Sequence, residues 1–206
     1  MITVALPKGR IAEETLEIFE TIFEEKFEFE SRKLILKKAG FTFLNVRNWD
    51  VATYVENQAA DIGVVGLDVL KETGADVFEL FDMKLGKCRV CVGAVKGDDS
   101  YKNKTEIKVT SKLANIAKEY FSKQGIASKV IKLNGSIELA PLVGLSDVIV
   151  DIVETGNTMR ENGLEVKEEI MTSSARLITN KNSFVEKKSE IIEIYEKIKE
   201  VVDARS

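Results

Sequence analysis

Short apolar segments alternate with amphipathic ones along the whole chain, and this alternation constrains the fold more than any other feature. Ile2–Leu6 reads as a strand, Pro7-Lys8-Gly9-Arg10 as a tight connection, and Ala12, Leu16, Phe19 and Phe23 then recur at helical spacing. Leu34–Leu36 and Phe41–Val46 read as strands about the Ala39-Gly40 turn, and Asp50 is placed to cap a helix reaching Gln58. Asp61–Gly66 reads as a buried strand and Leu67–Glu72 as a short helix stopped at Gly74. A second series begins near Lys87, with strands expected at Arg89–Val95, Glu106–Val109, Ser128–Leu133, Val148–Val150 and Ala175–Thr179. Its helical stretches are Asn115–Gln124, Gly135–Leu142 (interrupted by Pro141), Thr158–Asn162 and a long Ser183–Val202 with Ile191, Ile194 and Ile198 on its apolar side. Strands alternating with helices imply an α/β fold with largely parallel pairing. Two series with no Pro/Ser-rich linker imply two small lobes, a cleft between them and several chain crossings. A chain of 206 residues buries enough surface to need no disulfide or metal staple.

Composition narrows the chemistry. The chain has no histidine, which excludes a Ser-His-Asp triad, a Cys-His pair, a His general base and every His-containing metal site. Reaction chemistry must run on carboxylates, Lys, Arg, hydroxyls, backbone amides or an oxygen-held metal, a set suited to phosphates. A net charge of −4 without a strongly basic segment argues against nucleic-acid partners. The N-terminal segment lacks the features of a signal peptide and no apolar run is long enough to span a membrane, so a cytoplasmic location is expected. Cys88 and Cys91 form a C-x-x-C, but they are the only cysteines and lie in an apolar run, which reads as strand cysteines rather than a zinc or redox motif.

Two segments carry candidate chemistry. Val148–Thr158 runs from a buried strand into a turn holding Asp151, Glu154, Thr155, Gly156, Asn157 and Thr158. Loop amides, a glycine and hydroxyls suit a phosphate, while Asp151 and Glu154 suit ribose hydroxyls or a phosphate-bound Mg²⁺. An ordinary strand-to-helix turn with hydroxyl capping would use the same residue types. Leu6-Pro-Lys-Gly-Arg10 places Lys8 and Arg10 about a glycine at a strand end, where open α/β sheets bind ligands; a solvent-exposed basic turn is the other reading.

The ordered set of motifs resembles the short form of the ATP phosphoribosyltransferase family. Besides Leu6–Arg10, similar motifs are Ser31-Arg-Lys33, Asp50–Val55, Ala60–Gly63, Gly66–Leu70 and Lys87–Arg89, then Gly135-Ser-Ile-Glu-Leu-Ala-Pro141, Gly144-Leu-Ser-Asp147 and the Asp151–Thr158 loop. Ala52, Gln58 and Leu67 depart from residues common in the family.

The resemblance implies a two-lobed periplasmic-binding-protein-like (type II) architecture, with residues 1–86 plus 174–206 as one lobe and 87–173 as the other. It also implies transfer of the phosphoribosyl group of phosphoribosyl pyrophosphate to N1 of ATP with release of pyrophosphate, Mg²⁺ being held by the pyrophosphate and Asp151 a further candidate ligand. Lys8, Arg10, Arg32 and Arg47 are the expected catalytic cations. Asp151, Glu154, Thr155, Gly156, Asn157, Thr158 and the weaker candidate Glu138 are expected on phosphoribosyl pyrophosphate; for Glu138, a helix N-terminal carboxylate is the competing reading. No residues remain for a histidine-binding regulatory domain, so the expectation is a homodimer within a hetero-oligomer that includes a regulatory subunit resembling histidyl-tRNA synthetase. The competing functions are a non-catalytic ligand-binding module on the same fold and a free-base phosphoribosyltransferase.

Overall fold

The computed structural model describes residues 1–205. In chain order its elements are β1 (Ile2–Pro7), α1 (Arg10–Phe23), β2 (Ile35–Lys38), β3 (Phe41–Val46), α2 (Val51–Glu56), β4 (Ile62–Gly66), α3 (Leu67–Thr73) and β5 (Phe78–Asp82). They continue with β6 (Cys88–Val95), β7 (Glu106–Ser111), α4 (Ala114–Lys123), β8 (Ala127–Lys132), α5 (Leu139–Leu142), β9 (Val148–Val153), α6 (Asn157–Glu161), β10 (Leu164–Ser173), β11 (Ala175–Thr179), α7 (Lys181–Glu186) and α8 (Lys188–Ala204). The chain packs as two units. Unit 1 comprises Met1–Leu70, Gly74–Gly86 and the chain from Ser174 onward; unit 2 comprises Lys71–Thr73 and Lys87–Ser173.

Unit 1 holds a six-stranded sheet of order β2-β3-β1-β4-β11-β5 and unit 2 a five-stranded sheet of order β10-β6-β9-β7-β8. The expectation of largely parallel pairing needs correction. Only β1–β3, β1–β4, β7–β8 and β7–β9 are parallel, whereas β2–β3, β4–β11, β5–β11, β6–β9 and β6–β10 are antiparallel. A helical crossover is needed only between parallel neighbours, and β6 follows β5, as β11 follows β10, with no α-helix between them.

In unit 1 the apolar face of α1 brings Phe19 between the sheet and α8. Its ring meets Phe43 edge-on at 4.9 Å and Phe41 at 5.2 Å, and Ile191, Ile194 and Ile198 of α8 close the same core. Each buried ring or isoleucine contributes about 1.5–3 kcal/mol of transfer free energy. The opposite sheet face packs Val51, Ala52 and Val55 of α2 against Val65 and Ile178.

Polar contacts correct three local expectations. Asp50 makes no side-chain cap; Asn48–Asp50 form a 3-10 turn and α2 ends at Glu56. The long C-terminal helix is broken at Lys187 (φ −120°). There the Lys187 ammonium reaches both oxygens of buried Asp61, at 2.8 and 2.9 Å. Asp61 also accepts from Thr3 N–H at 2.8 Å and from the Ser183 hydroxyl at 2.7 Å, so one carboxylate ties β1 to the α7–α8 junction. Finally, β9 extends to Val153, which puts Asp151 on a strand opposite Cys91 rather than in the loop. Among the described residues, no helix is long and apolar enough to cross a membrane.

Candidate functional site

Strand β9 carries Asp151 to the end of the unit 2 sheet, and Glu154-Thr155-Gly156 then turns the chain into α6. Gly156 makes this turn at φ 77°, the left-handed region where a side chain is strained. The turn opens on a cavity of about 290 Å³ lined by Glu138, Asp151, Glu154, Thr155, Gly156, Asn157 and Thr158. All seven residues expected to bind phosphoribosyl pyrophosphate therefore meet around one space, although Glu138 enters from the segment just before α5. Glu138 stands at the N-terminus of that four-residue helix without a side-chain cap bond to it, so it occupies the helix-terminal position of the competing reading as well as the cavity wall.

The electrostatics of the cavity centre on Asp151. Burial pushes its carboxyl above the ordinary carboxylate range and the charge of Glu138 adds to the rise; the Ile152 N–H, which it accepts at 2.8 Å, and Lys112 oppose it. Lys112 escaped notice in the sequence because only the parallel pairing of Ser111 with Val150 brings it near Asp151. Arg160 was also missed. Its guanidinium folds back over the turn and donates to Thr155 O at 3.4 Å and to Asn157 Oδ1. Its position one helical turn after Asn157 was the available signal.

The four expected catalytic cations lie in unit 1. Lys8 N–H donates to Val46 O at 2.8 Å, which holds the turns after β1 and β3 side by side and places Lys8, Arg10 and Arg47 at the same end of the sheet. Arg32 lies in the exposed loop before β2, whose start runs beside the end of β3 through Asn45 N–H to Leu34 O at 2.9 Å. Arg32 thus belongs to that end as well. Arg10 Nε stands 3.7 Å from Glu14 Oε1. Gly9, between Lys8 and Arg10, adopts φ 100°.

Cys88 and Cys91 both sit on β6, and a spacing of three on a strand sends them to opposite faces. Burial pushes the Cys91 thiol up, away from the reactive range.

The family model for ATP phosphoribosyltransferase matches residues 47–200. The ATP phosphoribosyltransferase of Sulfurovum sp. (strain NBC37-1) is 64% identical over 205 residues, covering 100% of both chains. This chain belongs to the ATP phosphoribosyltransferase family. Among solved structures, the ATP phosphoribosyl transferase (HisG:HisZ) complex from Thermotoga maritima superposes with a TM-score of 0.85 at 33% identity, over 99% of this chain and 100% of that one. A substrate binding protein of an amino acid ABC transporter matches at a TM-score of 0.62 and 12% identity, over 98% and 93%. The latter likeness concerns the fold alone: this chain has the α/β architecture of the type II periplasmic-binding proteins.

Proposed function

We propose that the chain transfers the phosphoribosyl group of phosphoribosyl pyrophosphate to N1 of ATP, releasing pyrophosphate, the first step of histidine biosynthesis. The observation that carries this reading is the donor set of one cavity: a half-buried carboxylate, Asp151, beside Glu138, facing the amides and hydroxyls of Thr155–Thr158. A ligand bearing both vicinal hydroxyls and a phosphate uses both halves of that set. In this reading the Thr155–Thr158 turn holds the 5′-phosphate, and Asp151, Glu154 and Glu138 hold the ribose hydroxyls.

In the reaction the bond from the ribose C1′ to the pyrophosphate oxygen breaks and a bond from C1′ to adenine N1 forms. N1 already carries a lone pair, so no strong base is required, in keeping with a chain that lacks histidine. The barrier lies in separating a highly charged leaving group from an electron-poor ribose, which calls for positioning and electrostatic stabilisation. Lys8, Arg10, Arg32 and Arg47 are assigned to the phosphates of the pyrophosphate and the nucleotide, Arg supplying permanently charged, bidentate contacts. Mg²⁺ fits the donor chemistry, since it binds through one or two carboxylates plus substrate phosphates, and when bound it neutralises the leaving group. Asp151 is the chain's own candidate ligand, because a cation relieves the repulsion between it and Glu138.

The Thermotoga maritima complex supports assembly with a regulatory HisZ-type chain, which by family resemblance is similar to histidyl-tRNA synthetase. We place the homodimer of this chain within such a hetero-oligomer, in the cytoplasm. The alternatives, a non-catalytic binding module and a free-base phosphoribosyltransferase, are not favoured by relatives that share the family name at 54–64% identity over 98–100% of this chain. The test is turnover. The purified chain, its regulatory partner, Mg²⁺, ATP and phosphoribosyl pyrophosphate should yield pyrophosphate and phosphoribosyl-ATP. Binding of phosphoribosyl pyrophosphate without turnover would point to the binding module, and competition by free purines to the free-base enzyme.

A further inference from the structure

Unit 2 has a second, larger cavity at the other end of its sheet. It measures about 630 Å³, within the range of small-molecule sites, and lies where the parallel strands β7, β8 and β9 begin. Two of its walls carry like charges side by side: Lys108 on β7 pairs directly with Lys129 on β8. Directly opposed like charges destabilise a sheet, and among the described residues neither ammonium has a carboxylate within ion-pair distance.

The acids around the cavity are largely committed elsewhere. Asp147 takes the Lys104 ammonium at 2.6 Å on one oxygen and the Lys108 N–H at 2.7 Å on the other. Asp98 accepts the Ser100 N–H at 2.8 Å. Glu106, two residues before Lys108 on the same strand face, remains to offset only one of the two lysines. Ser146, which lines the same cavity, is 6% exposed, and its hydroxyl is buried without a hydrogen-bond partner. A buried hydroxyl left unmatched is costly, and Ser146 shares the cavity wall with both lysines, of which Lys108 feels the charge of Asp147.

Two ammonium groups and a hydroxyl donor suit a tetrahedral oxyanion with several acceptor oxygens. The partly exposed Pro141 on the wall leaves apolar surface for an organic substituent. We propose that this cavity is a second phosphate site, taking a small phosphate ester on Lys108, Lys129 and Ser146. It is distinct from the Asp151–Thr158 cavity: the two share no lining residue, and the five steps along β9 put about 17 Å between the ends of the strand. It does not depend on which substrate the Asp151–Thr158 cavity takes.

The experiment titrates the full-length ¹⁵N-labelled protein with inorganic phosphate, with glycerol phosphate, and with chloride at matched ionic strength, following backbone amides. Saturable shifts at Lys108, Ser146 and Asp147 are expected with both phosphates but not with chloride, and glycerol phosphate should bind the more tightly. The exposed-residue double variant Lys108→Gln/Lys129→Gln should weaken binding there by about tenfold or more, and Ser146→Ala by about threefold or more, while shifts at Glu154–Thr158 stay unchanged. Shifts confined to Glu154–Thr158, shifts reproduced by chloride, or a double variant that titrates like the parent would overturn the site. Equal or weaker binding of glycerol phosphate would overturn its assignment to an ester. Failure of the phosphoribosyl reading would show separately, as silence at Glu154–Thr158 with the Ser146 shifts intact.

Discussion

The turn after β1 and the turn after β9, one in each unit, solve the same backbone problem with opposite chemistry. Both pass from a strand into a helix through a glycine with positive φ, 100° at Gly9 and 77° at Gly156. Gly9 is flanked by Lys8 and Arg10; Gly156 is flanked by Thr155 and Asn157, with Asp151 and Glu154 just ahead. At Gly9 a Cβ would meet nothing within 4 Å, whereas at Gly156 it would lie 3.6 Å from Arg160 Nη1 and 3.7 Å from Val153. At both positions the requirement for glycine is conformational, since the distances at Gly156 are those of ordinary van der Waals contact. A strand end supplies backbone amides in either case; the side chains make the first turn cationic and the second acidic and hydroxyl-rich.

The sharpest way to break the comparison is Asp151→Asn, which keeps the shape and removes the charge that the cationic turn lacks. Loss of charge-assisted contacts to ribose or metal should lower kcat/KM for phosphoribosyl pyrophosphate about 100-fold, with ATP binding nearly unchanged. The free protein should become more stable. Asp151 has a raised folded pKa, so its ionisation opposes folding: the penalty grows as pH rises above the unfolded value and is complete once pH exceeds the folded one. Thermal unfolding at pH 7 checks this: a lower melting temperature in the variant would contradict the sign.

Asp61→Asn probes the opposite end of β1 from that turn, where Asp61 meets Thr3, and the expected loss is about 3 kcal/mol because Lys187 is left without its partner. Although burial pushes the Asp61 carboxyl up, Lys187, Thr3 N–H and the Ser183 hydroxyl hold it below the ordinary range. Its contribution is thus present above the unfolded Asp value of about 3.9 and is lost as pH falls through the lower folded value. Denaturant titrations from pH 7 to pH 2 should show this acid-side loss in the parent and a flatter profile in Asp61→Asn.

A smaller effect separates the two glycines. Gly156→Ala should raise KM for phosphoribosyl pyrophosphate about tenfold, with a left-handed penalty of about 1–2 kcal/mol; Gly9→Ala, in a glycine-only conformation (φ 100°, ψ −155°) that costs a side chain about 1–3 kcal/mol, should mainly lower kcat by about as much. Steady-state kinetics with both substrates would show whether the split holds. Arg160→Gln is expected to have the smallest effect, a rise of about threefold in that KM from loss of an exposed clasp, with Arg160→Lys recovering part of it.

Much of this was legible in the residues. Ile2–Pro7 and Ile62–Gly66 are apolar runs closed by turn residues, and Gly74 ends α3 in the left-handed conformation. Strands β5 and β10 were not visible, because Glu79, Glu165, Lys167 and Glu169 break their apolar pattern. Both are edge strands, where charged side chains guard against unwanted pairing. The break at Lys187 was hidden for a different reason: the helical periodicity is continuous there, and only Asp61, far away in sequence, draws that lysine aside.

By itself the sequence determined what is local or compositional. The glycines dictate the turns, the apolar runs dictate the strands, and the absence of histidine leaves a reaction on phosphates without an imidazole base. Tertiary structure alone decided which distant groups share a space. Lys112 acts on Asp151, and Lys108 faces Lys129, because β9 lies beside β7 and β7 beside β8; Glu138 reaches the same carboxylate from the segment before α5. Strand order is settled by packing across the whole sheet, which no short stretch of residues records.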